Sequence, residues 1–178
     1  MEDVIRLAET EDVDQVHALT LQAYAPIREL NIKFSAATAA RDLVVENITR
    51  NASYVLERDG EIAATVTVQY PWTHPEHIVP YPFIWWFAVH PKFKRKGVGS
   101  KLLSYVEEKI LGEQAKAPAV YLATAKRHPW LVEIYERRGY QAFQEKVHEG
   151  DDIVFLRKVL NPSLYNLLDH HVGIGEQR

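Results

Sequence analysis

Residues 83–103, FIWWFAVHPKFKRKGVGSKLL, constrain the fold of this chain more than any other stretch. Phe83 to Val89 is apolar at both parities, as a strand covered on both faces at the centre of a sheet would be. Val98, Leu102, Leu103, Val106 and Ile110 follow at helical spacing and put one apolar stripe on a helix, which Gly112 is placed to end. Between strand and helix runs a basic loop containing Gly97 and Gly99. A central strand feeding a helix through such a loop implies a sheet with helices packed on it.

Four chemistries compete for the loop KFKRKGVGSKLL. A dinucleotide fingerprint needs a third glycine where Leu102 stands, and its first glycine directly after the strand, whereas His90 to Lys96 intervene. The phosphate loop of nucleotide hydrolases ends Gly-Lys-Ser/Thr, and this one reads Gly99-Ser100-Lys101. Lys92, Lys94, Arg95, Lys96 and Lys101 make a plain basic patch for nucleic acid, but only Phe93 is interleaved for base stacking. The fourth reading is an anion site, with glycines exposing backbone N–H groups at a helix N-terminus and cations around them. A pyrophosphate fits that description, and a solvated basic turn is its bland counterpart.

Composition narrows the class. The 178 residues suit one domain that hides roughly 70% of its unfolded surface. With 47% hydrophobic and 25% charged residues the chain is expected to fold throughout. No cysteine is present, which excludes disulfides, thiolate metal sites and a cysteine nucleophile, and fits the cytoplasm. A net charge of −3 argues against a surface built for phosphate backbones, so no nucleic-acid partner is expected. The acidic N-terminus lacks an apolar signal region and no run approaches a membrane span, so no membrane association is expected.

The remaining elements follow from local pattern. VIRLA, residues 4–8, reads as a strand, and Thr10 with Glu11 and Asp12 as a capped helix start. A second helix is predicted from about Ser35 to Ile48, after the irregular YAPIRELNIKF. Asp59-Gly60 between two β-rich runs is a hairpin turn. AVYLAT, residues 119–124, is a strand, and Pro129 suits the first turn of a helix carrying Leu131, Ile134 and Tyr135, closed by Gly139. YQAFQEKV and DDIVFLRKV form a last hairpin through Glu149-Gly150. The order is β-α-α-β-β-β-α-β-α-β-β, with residues 1–160 as one domain and 161–178 as a tail carrying a short helical turn.

Strand, His-Pro, basic loop, Gly-x-Gly and helix, in that order, resemble motif A of the GNAT superfamily of acyl-CoA-dependent N-acetyltransferases. WLVEIYERRGYQAF resembles its motif B, and the element order from Val4 to Val159 resembles its fold. The family loop usually reads Gln/Arg-x-x-Gly-x-Gly/Ala, so Lys94, Gly97 and Gly99 lie on the pattern. Lys94 departs from it, keeping charge but losing the planar fork of arginine. The implied fold is α/β (α+β), a mixed, mostly antiparallel central sheet flanked by helices, with splayed central strands.

The resemblance also implies a reaction: an amine of a small molecule or peptide attacks the thioester of acetyl-CoA directly. Phe87, Ala88 and Val89 would pair with the pantetheine arm. Lys94, Arg95, Lys96, Gly97, Val98, Gly99 and Ser100 would hold the pyrophosphate. Tyr135 would be the catalytic acid at the leaving sulfur, and His128 would contact the cofactor or cap its helix. A non-catalytic acyl-CoA sensor on the same fold is the alternative, because the central strand has Trp85 and Trp86 where many relatives carry a carboxylate. His74, Glu76 and His77 are candidate proton acceptors in a loop suited to the amine. Pro75 interrupts any helical presentation of the two histidines and no third ligand is evident, so no metal is expected; His170-His171 reads as tail. Trp72, Tyr81, Trp85 and Trp86 suit a core or a homodimer interface equally.

Overall fold

Asp59 and Gly60 take φ of +53° and +78°, the left-handed pair that a two-residue hairpin demands, and Glu149 and Gly150 repeat it at +47° and +84°. These two turns fix the antiparallel registers on either side of them. A computed structural model describes residues 2–128 and 130–168 of the chain; Pro129 and His170-His171 lie outside the described residues. The described chain divides into two units, one of the residues up to Val68 with Trp85–Tyr105, the other of Gln69–Ile84 with the chain from Val106 onward.

The first unit carries β1 (Asp3–Leu7), β2 (Ala52–Arg58), β3 (Glu61–Gln69) and most of β4 (Phe83–Val89). β1 pairs antiparallel with β2, Ile5 opposite Leu56, and β2 with β3, Tyr54 opposite Val66. Its helices are α1 (Val13–Ala23), α2 (Ala25–Glu29), α3 (Arg41–Arg50) and α4 (Val98–Tyr105). Val13, Val16 and Leu19 of α1 and Val44 and Ile48 of α3 close over Val55, Trp86 and Ala88 of the sheet. Two boundaries differ from expectation. Asp12, not Thr10, supplies the start signal, its carboxylate accepting from the Glu9 amide at 2.8 Å and from Arg6 at 2.7 Å. The single helix expected over 35–48 is a 3-10 turn at Ser35–Thr38 and then α3, because tertiary donors take the carbonyls between them. Arg28 donates to Ala37 O at 2.6 Å and His17 Nε2 to Ala39 O at 2.8 Å.

The second unit holds the start of β4 with β5 (Ala119–Ala125), β6 (Gln141–His148) and β7 (Asp151–Val159), together with α5 (Leu131–Arg137) and α6 (Pro162–Tyr165). β5 and β6 each pair antiparallel with β7, and β4 registers parallel to β5 at Phe83 opposite Tyr121. The strand order is β1-β2-β3-β4-β5-β7-β6, a seven-stranded, mostly antiparallel sheet. After α4 the chain stays helical through Val106–Gln114 with wider, π-type turns, so Gly112 does not end it. Ala115 N–H instead reaches back to Ile110 O at 2.8 Å, and Lys116 adopts the left-handed φ of +54° that stops the helix. Among the described residues no helix is long and apolar enough to cross a membrane.

Candidate functional site

In the first unit the site grows out of the end of β4. Trp86 sits at φ +49°, a conformation costly for a bulky residue, and its strand is held in that shape from outside. Trp86 Nε1 donates to Ser35 Oγ at 3.0 Å, and the Tyr24 hydroxyl donates to Phe87 O at 3.1 Å. Ala88 is buried in the core, while Phe87 and Val89 are half-buried. A Cβ at Gly99 would meet Val89 Cγ2 at 2.7 Å and Phe87 Cζ at 2.9 Å. The second glycine of the loop is therefore what lets α4 lie against β4. Gly97 has open space around it but a φ of +76°, so its role is conformational.

The five cations of the loop region divide by partner. Lys92 pairs with Glu61 at 2.6 Å and Lys101 with Asp3 at 2.7 Å. Among the described residues no carboxylate pairs with Lys94, Arg95 or Lys96, and all three are exposed. Arg95 adds a second left-handed position at φ +61°. The Lys94 and Lys96 amides are spent on Pro91 O and Phe93 O, both at 3.3 Å, and Lys101 N–H opens the helix by donating to Gly97 O at 3.0 Å. By helix geometry the first-turn amides, those of Val98 and Gly99 among them, have no acceptor within the helix. Three uncommitted cations before a helix start, with glycine-permitted backbone, fit a phosphate-bearing group.

In the second unit, Tyr135 lies on α5 at 8% exposure, its ring edge-on to Tyr140 with centroids 5.7 Å apart. Its phenol is pushed up to about 12, chiefly by burial, with Arg138 opposing the rise and Glu107 adding to it. Glu107 is a buried carboxylate, 2% exposed, that sequence reasoning passed over. It accepts from Tyr140 Oη at 2.7 Å, Lys158 Nζ at 2.9 Å and Arg138 Nη2 at 3.2 Å. The signal was present: Glu107 stands four residues after Leu103 and three before Ile110, on the apolar stripe of its helix.

His128 is buried, its ring edge-on to Trp130 at 5.0 Å, and its Nδ1 has no hydrogen bond. Trp130 is the N-cap of α5, and its own side chain makes no capping hydrogen bond. Burial holds its pKa below the usual imidazole value. Of the loop groups, His74 Nδ1 pairs with Glu76 at 2.9 Å in the open. His77 stacks on His74 and meets the rings of Phe83 and Tyr121 edge-on at 5.9 and 5.6 Å. No hydrogen bond of good geometry reaches either His77 nitrogen, although the Tyr81 backbone is close enough to oppose the lowering of its pKa by burial. Tyr81 and Trp86 are core residues, whereas Trp72 is 73% exposed and stacks on Tyr70.

The site residues expected from sequence thus fall into two groups. Phe87, Ala88, Val89 and Lys94 to Ser100 are contiguous in the first unit, and His128 and Tyr135 lie at either side of the α5 start in the second. The sequence pattern of the Acetyltransferase (GNAT) family matches residues 19–140. An S-alkylcysteine N-acetyltransferase of Bacillus subtilis (strain 168) is 45% identical over 166 residues, 93% of either chain. An S-(2-succino)cysteine N-acetyltransferase of the same organism is 48% identical over 160 residues, 89% of this chain and 97% of its own. Among solved structures, the ribosomal-protein-S18-alanine N-acetyltransferase of Escherichia coli superposes with a TM-score of 0.71 at 17% identity, covering 94% of this chain and all of that one. The PaiA N-acetyltransferase of Thermoplasma acidophilum, solved with coenzyme A, gives 0.70 at 12% identity over 89% of this chain and 99% of its own. These last two similarities concern the fold; together with the family pattern and the two closely similar enzymes, they show that the chain belongs to the GNAT acetyltransferase family and is an N-acetyltransferase.

Proposed function

We propose that this enzyme moves the acetyl group of acetyl-CoA onto the α-amino group of an S-substituted cysteine, in the cytoplasm. The observation that carries the acceptor is the similarity, over about nine-tenths of the chain, to two enzymes whose names specify such acceptors. The donor rests on the family and on the loop, where Lys94, Arg95 and Lys96 have no carboxylate partner among the described residues. In this reading Phe87 to Val89 offer backbone groups to the pantetheine arm, and the first-turn amides with the three cations hold the pyrophosphate.

The amine attacks the thioester carbonyl, a C–N bond forms, the C–S bond breaks, and the amine proton is lost to a base or to water. In this reading Tyr135 is the group that donates to the departing sulfur. Burial changes what that phenol can do: at about 12 against a thiol near 8.5, full proton transfer to free thiolate is uphill by roughly 5 kcal/mol. Tyr135 therefore serves as a hydrogen-bond donor that stabilises charge developing on sulfur, kept protonated across the working pH range. Glu107 supports that state by pairing with Arg138, which on its own favours tyrosinate.

The direct test is thiol release from acetyl-CoA in the presence of S-methyl-L-cysteine, with the product identified by mass. Stoichiometric N-acetyl-S-methylcysteine is the expected result. Absence of release with S-methyl-L-cysteine and with S-(2-succino)cysteine would sink the acceptor assignment.

A further inference from the structure

Four arginines of the described chain are half-buried: Arg6, Arg58, Arg138 and Arg157. Three have carboxylate partners, Arg6 with Asp12 and Glu57, Arg58 with Asp3, and Arg138 with Glu107. Arg157 has none among the described residues. Its guanidinium carbon lies 5.0 Å from the ring centre of Phe143 and 5.3 Å from that of Tyr165, and a hydrogen bond from it reaches the Tyr81 phenol. Removing a cation partly from water without an anion is costly, and ring faces repay only part of that cost. An anion arriving from outside would repay the remainder.

Its place in the sheet says which anion. Tyr121 stands opposite Phe83 of β4 on one side and opposite Arg157 of β7 on the other. Directly opposed residues of neighbouring strands share a face, so Phe83, Tyr121 and Arg157 form one row. The Phe83 and Tyr121 rings touch at 4.7 Å, and His77 packs edge-on against both. Lys158, next along β7, points to the opposite face, where it meets Glu107 beside Tyr140. Arg157 is thus on the face away from the Tyr135 cluster, two strand spacings or roughly 10 Å from β4.

We infer that Arg157 is the carboxylate-recognition residue of the acceptor subsite, so that the enzyme selects an α-amino acid over a simple amine through a charge-assisted pair with its carboxylate. The inference rests on the acceptor reading above and deepens it. The rings of Phe143 and Tyr165 stand against the guanidinium, and the remaining N–H donors of its planar fork suit a carboxylate. Phe83, Tyr121 and Phe155 supply apolar surface beside it for a thioether substituent.

Two acceptors that differ only in the carboxylate test this: S-methyl-L-cysteine and 2-(methylthio)ethylamine. Wild-type enzyme should prefer the amino acid in kcat/KM. Arg157→Gln should lower kcat/KM for the amino acid by about 10- to 100-fold, chiefly through KM, while the amine stays within about threefold. Arg157→Lys, which keeps charge but not the fork, should fall between. Equal losses with both acceptors, in variants that fold, would show a structural role and overturn the inference. Wild-type turnover of the two acceptors at equal kcat/KM would also overturn it, leaving S-substituted cysteine acetylation standing. Wild-type inactivity with both, while another amine is acetylated, would overturn the acceptor reading and this inference together.

Discussion

Tyr135 illustrates how much of a residue's chemistry is set by its surroundings. The motif names it, and its burial, with Arg138 opposing and Glu107 adding, is what raises its phenol and underlies the proposal that it works as a donor. Tyr135→Phe should lower kcat about 100-fold, as loss of one well-placed donor does, with coenzyme A affinity changed less than about threefold. Isothermal titration alongside thiol-release kinetics checks both halves, and an unchanged kcat would remove Tyr135 from the chemistry. At this scale the sequence was legible where a position depends on residue type plus spacing, as for the left-handed Gly97 and the close-packed Gly99. It was not legible where a role depends on partners. Five loop cations looked alike until Glu61 and Asp3 claimed two of them. Arg157 looked like one of several arginines in a β-strand, because what sets it apart is that it alone of the half-buried ones has no carboxylate partner among the described residues.

Among the elements, both hairpins and the strand–loop–helix unit could be read directly, since left-handed turn positions and an all-apolar strand are local properties. Helix limits could not. α3 starts late because Arg28 and His17 draw off carbonyls from 22 or fewer residues away, and the helix after α4 passes through Gly112 because its turns widen to π-type. The contact between α4 and β4 yields a prediction of its own. Gly99→Val would push side-chain carbon into Phe87 and Val89, lifting α4 from the strand that shapes the donor site. Coenzyme A affinity should fall at least about tenfold, with a stability loss of about 1–3 kcal/mol from overpacking. Gly97→Ala meets no atom within 4 Å and suffers only from its left-handed φ, so it should cost about 1–2 kcal/mol of stability. A titration in which Gly99→Val binds coenzyme A like wild type would show that the approach of α4 to β4 is slack.

For the molecule as a whole, the notable electrostatic feature is a set of carboxylates held charged by arginine. Arg58 and Lys101 keep Asp3 far below the usual carboxylate range, Arg6 lowers Asp12, and Arg127 lowers Asp151. Each carboxyl binds its proton more weakly folded than unfolded, so its contribution is complete above the unfolded value near 4 and is lost as pH falls through the folded one. Urea midpoints followed by tryptophan fluorescence should be level from about pH 7 to 5 and drop steeply below about 4, and Asp3→Asn should flatten that drop. A midpoint unchanged between neutral pH and about 3 would mean that these pairs contribute nothing. Asp3 has a further bearing, on the order in which the protein takes shape as it is made. It is bound to Arg58 and to Lys101, partners 55 and 98 positions further along. On a ribosome adding about 5–20 residues per second, Lys101 follows Arg58 by roughly 2 to 9 seconds. The first strand can therefore be locked into its sheet edge while the basic loop is still unmade. When Lys101 emerges, it ties the new helix to a frame that is already standing.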